Sequence, residues 1–255
     1  MAHAEEKAAQ ALLAWYAAMG ADEAIGEAPL DCFARHAVPV PARKSVPSAP
    51  RVTPRPLTVS EVVRGNPAEA ASLAELEAMA AQFDGCPLKR TAKSLCFARG
   101  STEARIMLIG EAPGRDEDLQ GKPFVGRAGQ MLDRMLAGIG LDESHVYITN
   151  TVYWRPPGNR TPTPEEIEAC APFLARQIEL LGPRMLLLLG GAAAKSLLGV
   201  NEGIMRLRGK WLTYRAGNTE LPALATLHPA YLLRNPVDKR LAWRDLLALK
   251  AALET

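Results

Sequence analysis

The chain has 255 residues, 48% of them hydrophobic, which is enough for one sizeable core with or without an appended segment. Its net charge of +2 gives no global sign of a nucleic-acid partner, so any basic footprint must be local. The four cysteines lack the spacing of a disulfide framework, and no apolar run reaches the roughly 18 residues of a membrane span. The N-terminus lacks the basic and apolar regions of a signal peptide. We therefore expect a cytoplasmic protein that makes no contact with a membrane.

The first quarter of the chain differs in composition from the rest. Residues 4–19 are rich in alanine and predict a helix that ends at Gly20, within an N-terminal helical extension over 1–36 that is suited to docking on the core or on a protein partner. Residues 37–67 contain seven prolines with basic residues between them, which favours an extended, solvated linker over a segment that binds a polyanion. The compact domain is then expected over 68–255.

The compact part alternates between strand and helix patterns. Asn66 and Pro67 form a suitable N-cap and first helical residue for a helix over 68–83. Continuous apolar runs predict buried strands at 106–109, 146–149, 185–189 and 222–227. Further helices are predicted at 127–139, from the capping box of Thr163 and Glu166 to about 180, at 191–199 and at 238–253, with 200–221 irregular or a hairpin. This alternation predicts an α/β fold with a parallel sheet covered on both faces.

Polar side chains stand where three of these strands end. Glu111 follows the first strand in a tight turn, which is stiffened by proline and followed by a charged loop; Asn150 follows the second strand and His228 the fourth. Each alone has an ordinary explanation as a solvated, turn-forming or structural residue. Because the carboxyl ends of parallel strands share one edge, the three together favour a built site. The glycine spacings of a phosphate loop and of a dinucleotide fingerprint are both absent.

Five motifs extend this pattern to most of the compact part. They are GEAPG at 110–114, GKPFVGRAGQML at 121–132, ITN at 148–150, RPPGNRTPTPEEIEAC at 155–170 and LHPAYLL at 227–233. In this order they resemble the uracil-DNA glycosylase superfamily, and most closely its type-4, iron–sulfur branch, over about residues 72–255. The resemblance implies a three-layer α/β/α domain with a central four-stranded parallel sheet, in agreement with the four predicted strands.

The resemblance also implies roles for the residues at the strand ends. Phe124 matches the aromatic ring on which uracil stacks, Asn150 the amide that reads the base edge, and His228 the donor to uracil O2. Gly110 and Ala112 are further candidate substrate-binding residues, and the backbone N–H groups around Glu111 and Ala112 are expected to add to the stabilisation of the charge on O2. Glu111 either orients or deprotonates the attacking water or stabilises the sugar cation, and we favour the water; Asp116 is the second candidate carboxylate.

A DNA-binding region is implied by the same match. The segment after His228 corresponds to the loop that enters the duplex when the base leaves, and its residues are Tyr231, Leu232, Leu233 and Arg234. Arg234, Arg127, Lys195 and Arg208 are the candidate phosphate contacts. Ala230 stands where many members have serine, so one small phosphate-binding hydroxyl is absent.

The chain departs from the type-4 pattern at the cluster. Type-4 enzymes hold a [4Fe–4S] cluster on four cysteines, and two of the expected positions are Cys86 and Cys170. The other two are Phe83 and Trp154, which supply no thiolate. Substitution by Cys96 or Cys32 is an alternative that we disfavour. We predict no cofactor and no metal, with the two aromatic side chains filling the volume of the cluster.

The sequence thus predicts a monofunctional glycosylase that removes uracil from DNA, leaves an abasic site and acts as a monomer. No covalent DNA adduct is expected, because the chain lacks the basic insert after the Phe124 region that a crosslinking branch carries. Two alternatives stay open. One is a broader specificity for deaminated bases, and the other is a protein that binds uracil-containing or abasic DNA without cleaving it, for which Glu111 would have no use.

Overall fold

The fold is that of a computed structural model, which describes residues 66–217 and 219–254. The predicted N-terminal helix and almost all of the predicted linker lie outside the described residues. Within the described part, no helix is long and apolar enough to cross a membrane.

A mixed sheet of six strands forms the centre of the described region. Its strands are β1 (Arg99–Gly100), β2 (Ile106–Gly110), β3 (Val146–Asn150), β4 (Met185–Leu189), β5 (Trp211–Ala216) and β6 (Thr219–Thr226). They lie in the order β1-β3-β2-β4-β6-β5. The four central strands are parallel, as predicted, while β1 and β5 are antiparallel edges. β5 pairs with the start of β6 as a hairpin, which is one of the two alternatives predicted for 200–221, whereas β1 was not predicted.

Eight α-helices surround this sheet in the residues that can be described. They are α1 (Leu73–Gln82), α2 (Arg115–Gln120), α3 (Arg127–Gly138), α4 (Pro164–Leu181), α5 (Gly191–Leu198), α6 (Ile204–Leu207), α7 (Pro229–Arg234) and α8 (Lys239–Leu253). The capping box predicted for α4 is present, with Thr163 and Glu166 each bonding the other's backbone N–H. Two segments predicted as loops, α2 and α7, are short helices instead.

The helix predicted over 68–83 is broken. A short 3₁₀ turn at Pro67–Glu69 is capped by Asn66, and α1 begins later, after Ser72. The Ser72 hydroxyl accepts from the Glu75 N–H at 3.2 Å, and the Glu75 carboxylate accepts from the Ala71 N–H at 2.8 Å. These bonds satisfy the free amides of a new helix start, so the chain restarts there rather than continuing from the first turn.

Alternate residues of the central strands pack into layers on the two faces of the sheet. Ile106 and Leu108 face one core with side chains of α3, α7 and α8, whereas Met107 and Ile109 face a second core with side chains of α4, α5 and α6. A third cluster, between α1, α4 and the segment after β3, contains Cys86 and Cys170. The expected three-layer α/β/α arrangement is therefore confirmed, and it leaves the carboxyl ends of the parallel strands free to build a site.

Candidate active site

A cavity of about 400 Å³ opens at the carboxyl edge of the parallel strands. Backbone and side chains from four separate segments line it: Glu111, Ala112, Pro113, Gly114, Glu117, Phe124, Ala128, Asn150, Pro156, Asn159, Arg160, Thr161, His228, Ala230, Tyr231 and Arg234. The predicted residues Glu111, Asn150 and His228 thus lie on one cavity, because they stand at the carboxyl ends of β2, β3 and β6, which run parallel in one sheet.

Asn150 presents an unpartnered amide at the floor of this cavity. It is the last residue of β3, pairs in register with Gly110 of β2 and is only 1% exposed. Neither its Oδ1 nor its Nδ2 has a hydrogen-bond partner within the described residues. A buried amide without partners costs about 1–3 kcal/mol, so its persistence indicates a ligand that supplies both a donor and an acceptor.

Gly110 and Phe124 shape the space around that amide. A Cβ on Gly110 would lie 2.5 Å from Asn150 Oδ1 and 2.5 Å from the Phe124 ring, so glycine is what lets the amide and the ring approach each other. Phe124 is 6% exposed and has a φ of 56°, which a side-chain-bearing residue adopts at a cost. The aromatic face is therefore held in a conformation that the local chain does not favour, as at many binding sites.

His228 lines the same cavity, at the N-cap of α7. Its ring lies 5.6 Å from the Phe124 ring, centroid to centroid, at an angle of 33°. Nδ1 accepts from the Ala230 N–H at 3.1 Å, so the proton of the neutral ring is on Nε2. Burial, and secondarily the charge of Arg234, lower the pKa of His228 from 6.5 to about 4. The imidazole is consequently a neutral donor at physiological pH.

Glu111 is fixed through its backbone rather than its side chain. Its carbonyl oxygen accepts from the Thr151 hydroxyl at 2.6 Å and from the Val152 N–H at 3.4 Å. The Thr151 N–H donates to the Gly110 carbonyl at 3.0 Å. These bonds continue the pairing of β2 with β3 beyond the strands and hold the turn so that the carboxylate is at the cavity wall.

The second carboxylate on the cavity is Glu117, and not the predicted Asp116. Asp116 is exposed and does not line the cavity, whereas Glu117, one residue later on α2, is buried and does. The prediction treated this stretch as a charged, solvated loop and so had no means of choosing between neighbouring acidic residues. Asn159 and Arg160 also line the cavity and were not among the predicted residues. In the sequence, only their place in the RPPGNR motif indicated that they belong to the site.

The predicted DNA-binding segment is a helix, and this divides its residues. Leu232 is completely buried in the core, so it cannot enter a duplex in this conformation, while Leu233 is 37% exposed. Arg234 and Tyr231 line the cavity, and the Tyr231 hydroxyl donates to Asp238 at 2.6 Å. One helical residue in each turn faces the core, a distinction that a loop assignment does not make.

Of the predicted phosphate contacts, Arg127 and Lys195 are exposed on the surface, whereas Arg208 is bound to other parts of the protein. Arg127 is the exposed first residue of α3 and Lys195 is exposed on α5, although neither lines the cavity. Arg208 instead forms an ion pair with the buried carboxylate of Asp245 and donates to the Leu241 carbonyl at 2.7 Å. Its guanidinium therefore neutralises a core carboxylate, and its predicted contact with phosphate stays a prediction.

Comparison with known proteins agrees with this geometry. The family model described as the Uracil DNA glycosylase superfamily matches residues 97–247. The chain belongs to this superfamily. It is 43% identical over 155 residues to the type-4 uracil-DNA glycosylase of Archaeoglobus fulgidus, covering 59% of this chain and 78% of that protein. It is 39% identical over 178 residues to the type-4 enzyme of Pyrobaculum aerophilum, covering 68% and 91%. The type-5 enzyme of Thermus thermophilus matches at 38% over 114 residues.

The four residues predicted to occupy the cluster positions of the type-4 branch lie in or against an apolar part of the core. Cys86 and Cys170 are buried and hydrogen-bonded to each other, which lowers the pKa of Cys86 and raises that of Cys170. The Phe83 ring packs 5.0 Å from the Phe173 ring, and Trp154 is 3% exposed in the same apolar cluster. No group of three or more His, Cys, Asp or Glu side chains suited to a metal occurs in the described residues. This donor set does not fit a four-thiolate cluster.

Cys96 does not complete that set. Its Sγ donates to the Glu117 carbonyl at 3.2 Å beneath α2, and burial raises the pKa of the thiol to about 12. A buried thiol of this kind is a small apolar side chain with a weak donor and has little tendency to form a thiolate. Cys32, the other alternative, lies outside the described residues.

Proposed function

We propose that the chain is a monofunctional DNA glycosylase that hydrolyses the N-glycosidic bond of uracil in DNA, leaves an abasic site and initiates base excision repair. The observation that carries the proposal is the buried, unpartnered amide of Asn150 beside an aromatic face, in a member of the uracil-DNA glycosylase superfamily. Several relatives at about 40% identity bear the name type-4 uracil-DNA glycosylase.

Base selection follows from the chemistry of the amide. Asn150 Nδ2 donates to uracil O4 and Oδ1 accepts from uracil N3–H, which satisfies both buried atoms. Cytosine presents the opposite pattern at these positions, with an amino group and a bare ring nitrogen, so both protein atoms would stay unpaired. The target nucleotide must leave the stack to reach the cavity, and the Phe124 ring replaces part of the lost stacking.

Bond cleavage uses one donor and one carboxylate. When the C1′–N1 bond breaks, the bonding electrons remain on uracil, and the neutral His228 donates from Nε2 to the developing charge on O2. Glu111 orients the water that attacks C1′ and takes its proton, which leaves a hydroxyl on the sugar. An alternative role for Glu111 is electrostatic stabilisation of the sugar cation. Among the residues that the structure describes, no lysine lines the cavity to form a Schiff base, so the expected product is an intact abasic strand.

Incubation with end-labelled oligonucleotides that carry one uracil tests this function. Single-stranded, U:G and U:A substrates, beside hypoxanthine and xanthine substrates, are each read with and without alkali. We expect alkali-dependent breakage at uracil alone, release of free base without a covalent adduct, and at least a hundredfold slower excision by Glu111→Gln with DNA binding retained. Breakage at the other bases would support the broader specificity. Retarded mobility without breakage on any substrate would support the binding protein instead.

We propose further that the protein works without an iron–sulfur cluster, because apolar packing by Phe83 and Trp154 holds the two loops that a cluster would join. Purified protein is expected to contain no stoichiometric iron and to lack the visible absorbance band of an iron–sulfur cluster. The double variant Phe83→Cys/Trp154→Cys is the matched control, since it restores four thiols at these positions. Stoichiometric iron in the unmodified protein would refute the proposal.

The domain arrangement is a related proposal. Residues 68–255 form the catalytic unit, which acts as a monomer on chromosomal DNA in the cytoplasm. Residues 1–36 form an extension that binds a protein partner, and residues 37–67 link it to the catalytic unit. A chain that begins at Asn66 is therefore expected to excise uracil at close to the full-length rate. A folded but inactive truncated chain would show that the N-terminal part takes part in DNA engagement.

A further inference from the structure

Glu117 is a buried carboxylate that lines the cavity but takes part in none of the chemical steps proposed above. Its side chain is 9% exposed, and both oxygens are occupied by backbone donors. Oε2 accepts from the Gly114 N–H at 3.1 Å, and Oε1 accepts from the Gly126 N–H at 2.8 Å. No cation in the described region pairs with it, so these charge-assisted bonds to the backbone stabilise its charge.

The two glycines are required for this arrangement. A Cβ on Gly114 would lie 2.7 Å from Glu117 Oε2, and a Cβ on Gly126 would lie 3.2 Å from Oε1 and 2.8 Å from Asp116 Oδ2. A side chain at Gly114 would therefore displace Oε2, and one at Gly126 would crowd Oε1. The GEAPG and PFVG motifs therefore each end in a glycine whose backbone N–H the Glu117 carboxylate can approach.

Each turn held by Glu117 carries one part of the site. Gly114 ends the turn that bears Glu111, and Gly126 ends the turn that bears Phe124. Phe124 is in a left-handed conformation, and its carbonyl packs so closely on α3 that a Cβ on Gly129 would lie 1.6 Å from it. A turn strained in this way keeps its geometry only if its surroundings hold it.

We propose that Glu117 is a positioning residue for base excision, which joins the turn of the water-orienting carboxylate to the turn of the stacking ring and so fixes their separation. This inference rests on the proposed function. Glu117 acts through Glu111 and Phe124 and does not touch the reacting atoms, because both of its oxygens are already bound to protein. A misplacement of about 1 Å at such a site reduces a rate by roughly a hundredfold.

Asp118 provides a matched control on the same helix. It is 3% exposed, and its Oδ1 accepts from the N–H groups of Lys93 at 2.7 Å and Ser94 at 3.2 Å. It therefore has the same chemistry as Glu117, a buried carboxylate that accepts from two backbone amides, but it ties α2 to a segment that does not line the cavity. Alanine at either position removes the acceptor of two backbone N–H groups.

The test compares Glu117→Ala, Glu117→Gln and Asp118→Ala with the unmodified chain in single-turnover excision from a uracil oligonucleotide, thermal unfolding and backbone hydrogen exchange. We expect similar falls in unfolding temperature for the two alanine variants. We expect excision to slow by at least about thirtyfold in Glu117→Ala and by less than about threefold in Asp118→Ala. Glu117→Gln, which keeps one acceptor, is expected to lie between the unmodified chain and Glu117→Ala.

Hydrogen exchange separates this inference from the proposed function. Loss of protection at 110–114 and 123–126 in Glu117→Ala, but not in Asp118→Ala, is expected whether or not the chain excises uracil, and inactivity of the unmodified chain would refute the function alone. Equal slowing of excision in both alanine variants, or unchanged exchange of the two turns in Glu117→Ala, would overturn the positioning role. If Glu117→Ala does not fold, the same comparison is made with Glu117→Gln.

Discussion

Replacement of Asn150 by leucine is expected to slow uracil excision by about a thousandfold while leaving the protein at least as stable as before. The two hydrogen bonds that the amide makes to uracil are formed in a desolvated cavity, at about 2 kcal/mol each, and 1.4 kcal/mol corresponds to a tenfold change. Without a base bound, Nδ2 and Oδ1 have no partner in the described structure, so an apolar side chain of similar shape removes a desolvation cost from the folded state.

Thr149 provides a control, because its replacement is expected to change stability and not the rate of excision. It precedes Asn150 on β3, is fully buried, and its hydroxyl donates to the Phe97 carbonyl at 2.7 Å, away from the cavity. Thr149→Val is expected to lower the free energy of unfolding by about 1 kcal/mol with little change in the excision rate. Single-turnover kinetics and denaturant unfolding of both variants make the comparison. A large loss of stability in Asn150→Leu would show instead that the amide serves the fold.

The parallel strands and the convergence of their ends were predictable because both depend on local pattern and topology. Continuous apolar runs mark strands buried on two faces, and parallel strands place Glu111, Asn150 and His228 at one edge whatever the details of the loops. The resemblance then assigned roles to these residues. The placement of Phe124 depends on its left-handed conformation and on the space at Gly110, neither of which a pattern of residue types reveals.

The sequence did not reveal the surroundings of residues whose contacts come from distant parts of the chain. Glu117 and Asp118 look like solvated charges in sequence, yet they are buried because backbone amides from separate segments donate to them. Arg208 looked like a free cation until the fold brought Asp245 to it. Leu232 and Leu233 are identical in type and adjacent, and only the helical geometry of α7 decides that one is core and the other surface.

His228 is expected to act as a neutral donor, which gives its removal a distinctive pH dependence. His228→Leu should slow excision by about a hundredfold to a thousandfold, the usual effect of losing one donor to a developing anion. Because burial lowers the pKa of His228 to about 4, the Nε2 donor persists across about pH 5 to 8. The ratio of the unmodified rate to the variant rate should therefore be constant over that range. A ratio that falls as the pH rises through about 6.5 would indicate that the ring acts as a cation.

The same lowered pKa predicts how stability depends on pH. The unfolded chain binds a proton at His228 near its ordinary pKa of 6.5, whereas the folded chain does so only near 4, so the unfolded state binds more protons between these values. This contribution to stability is fully present above about pH 6.5 and is lost as the pH falls towards 4, to an extent on the order of 3 kcal/mol. His228→Leu has no such group, so the difference in unfolding free energy between the unmodified chain and the variant should shift in favour of the variant as the pH is lowered. A difference that stays constant from about pH 7 to 4 would show that the imidazole is protonated equally easily in both states, and the neutral donor would then not persist down to about pH 5.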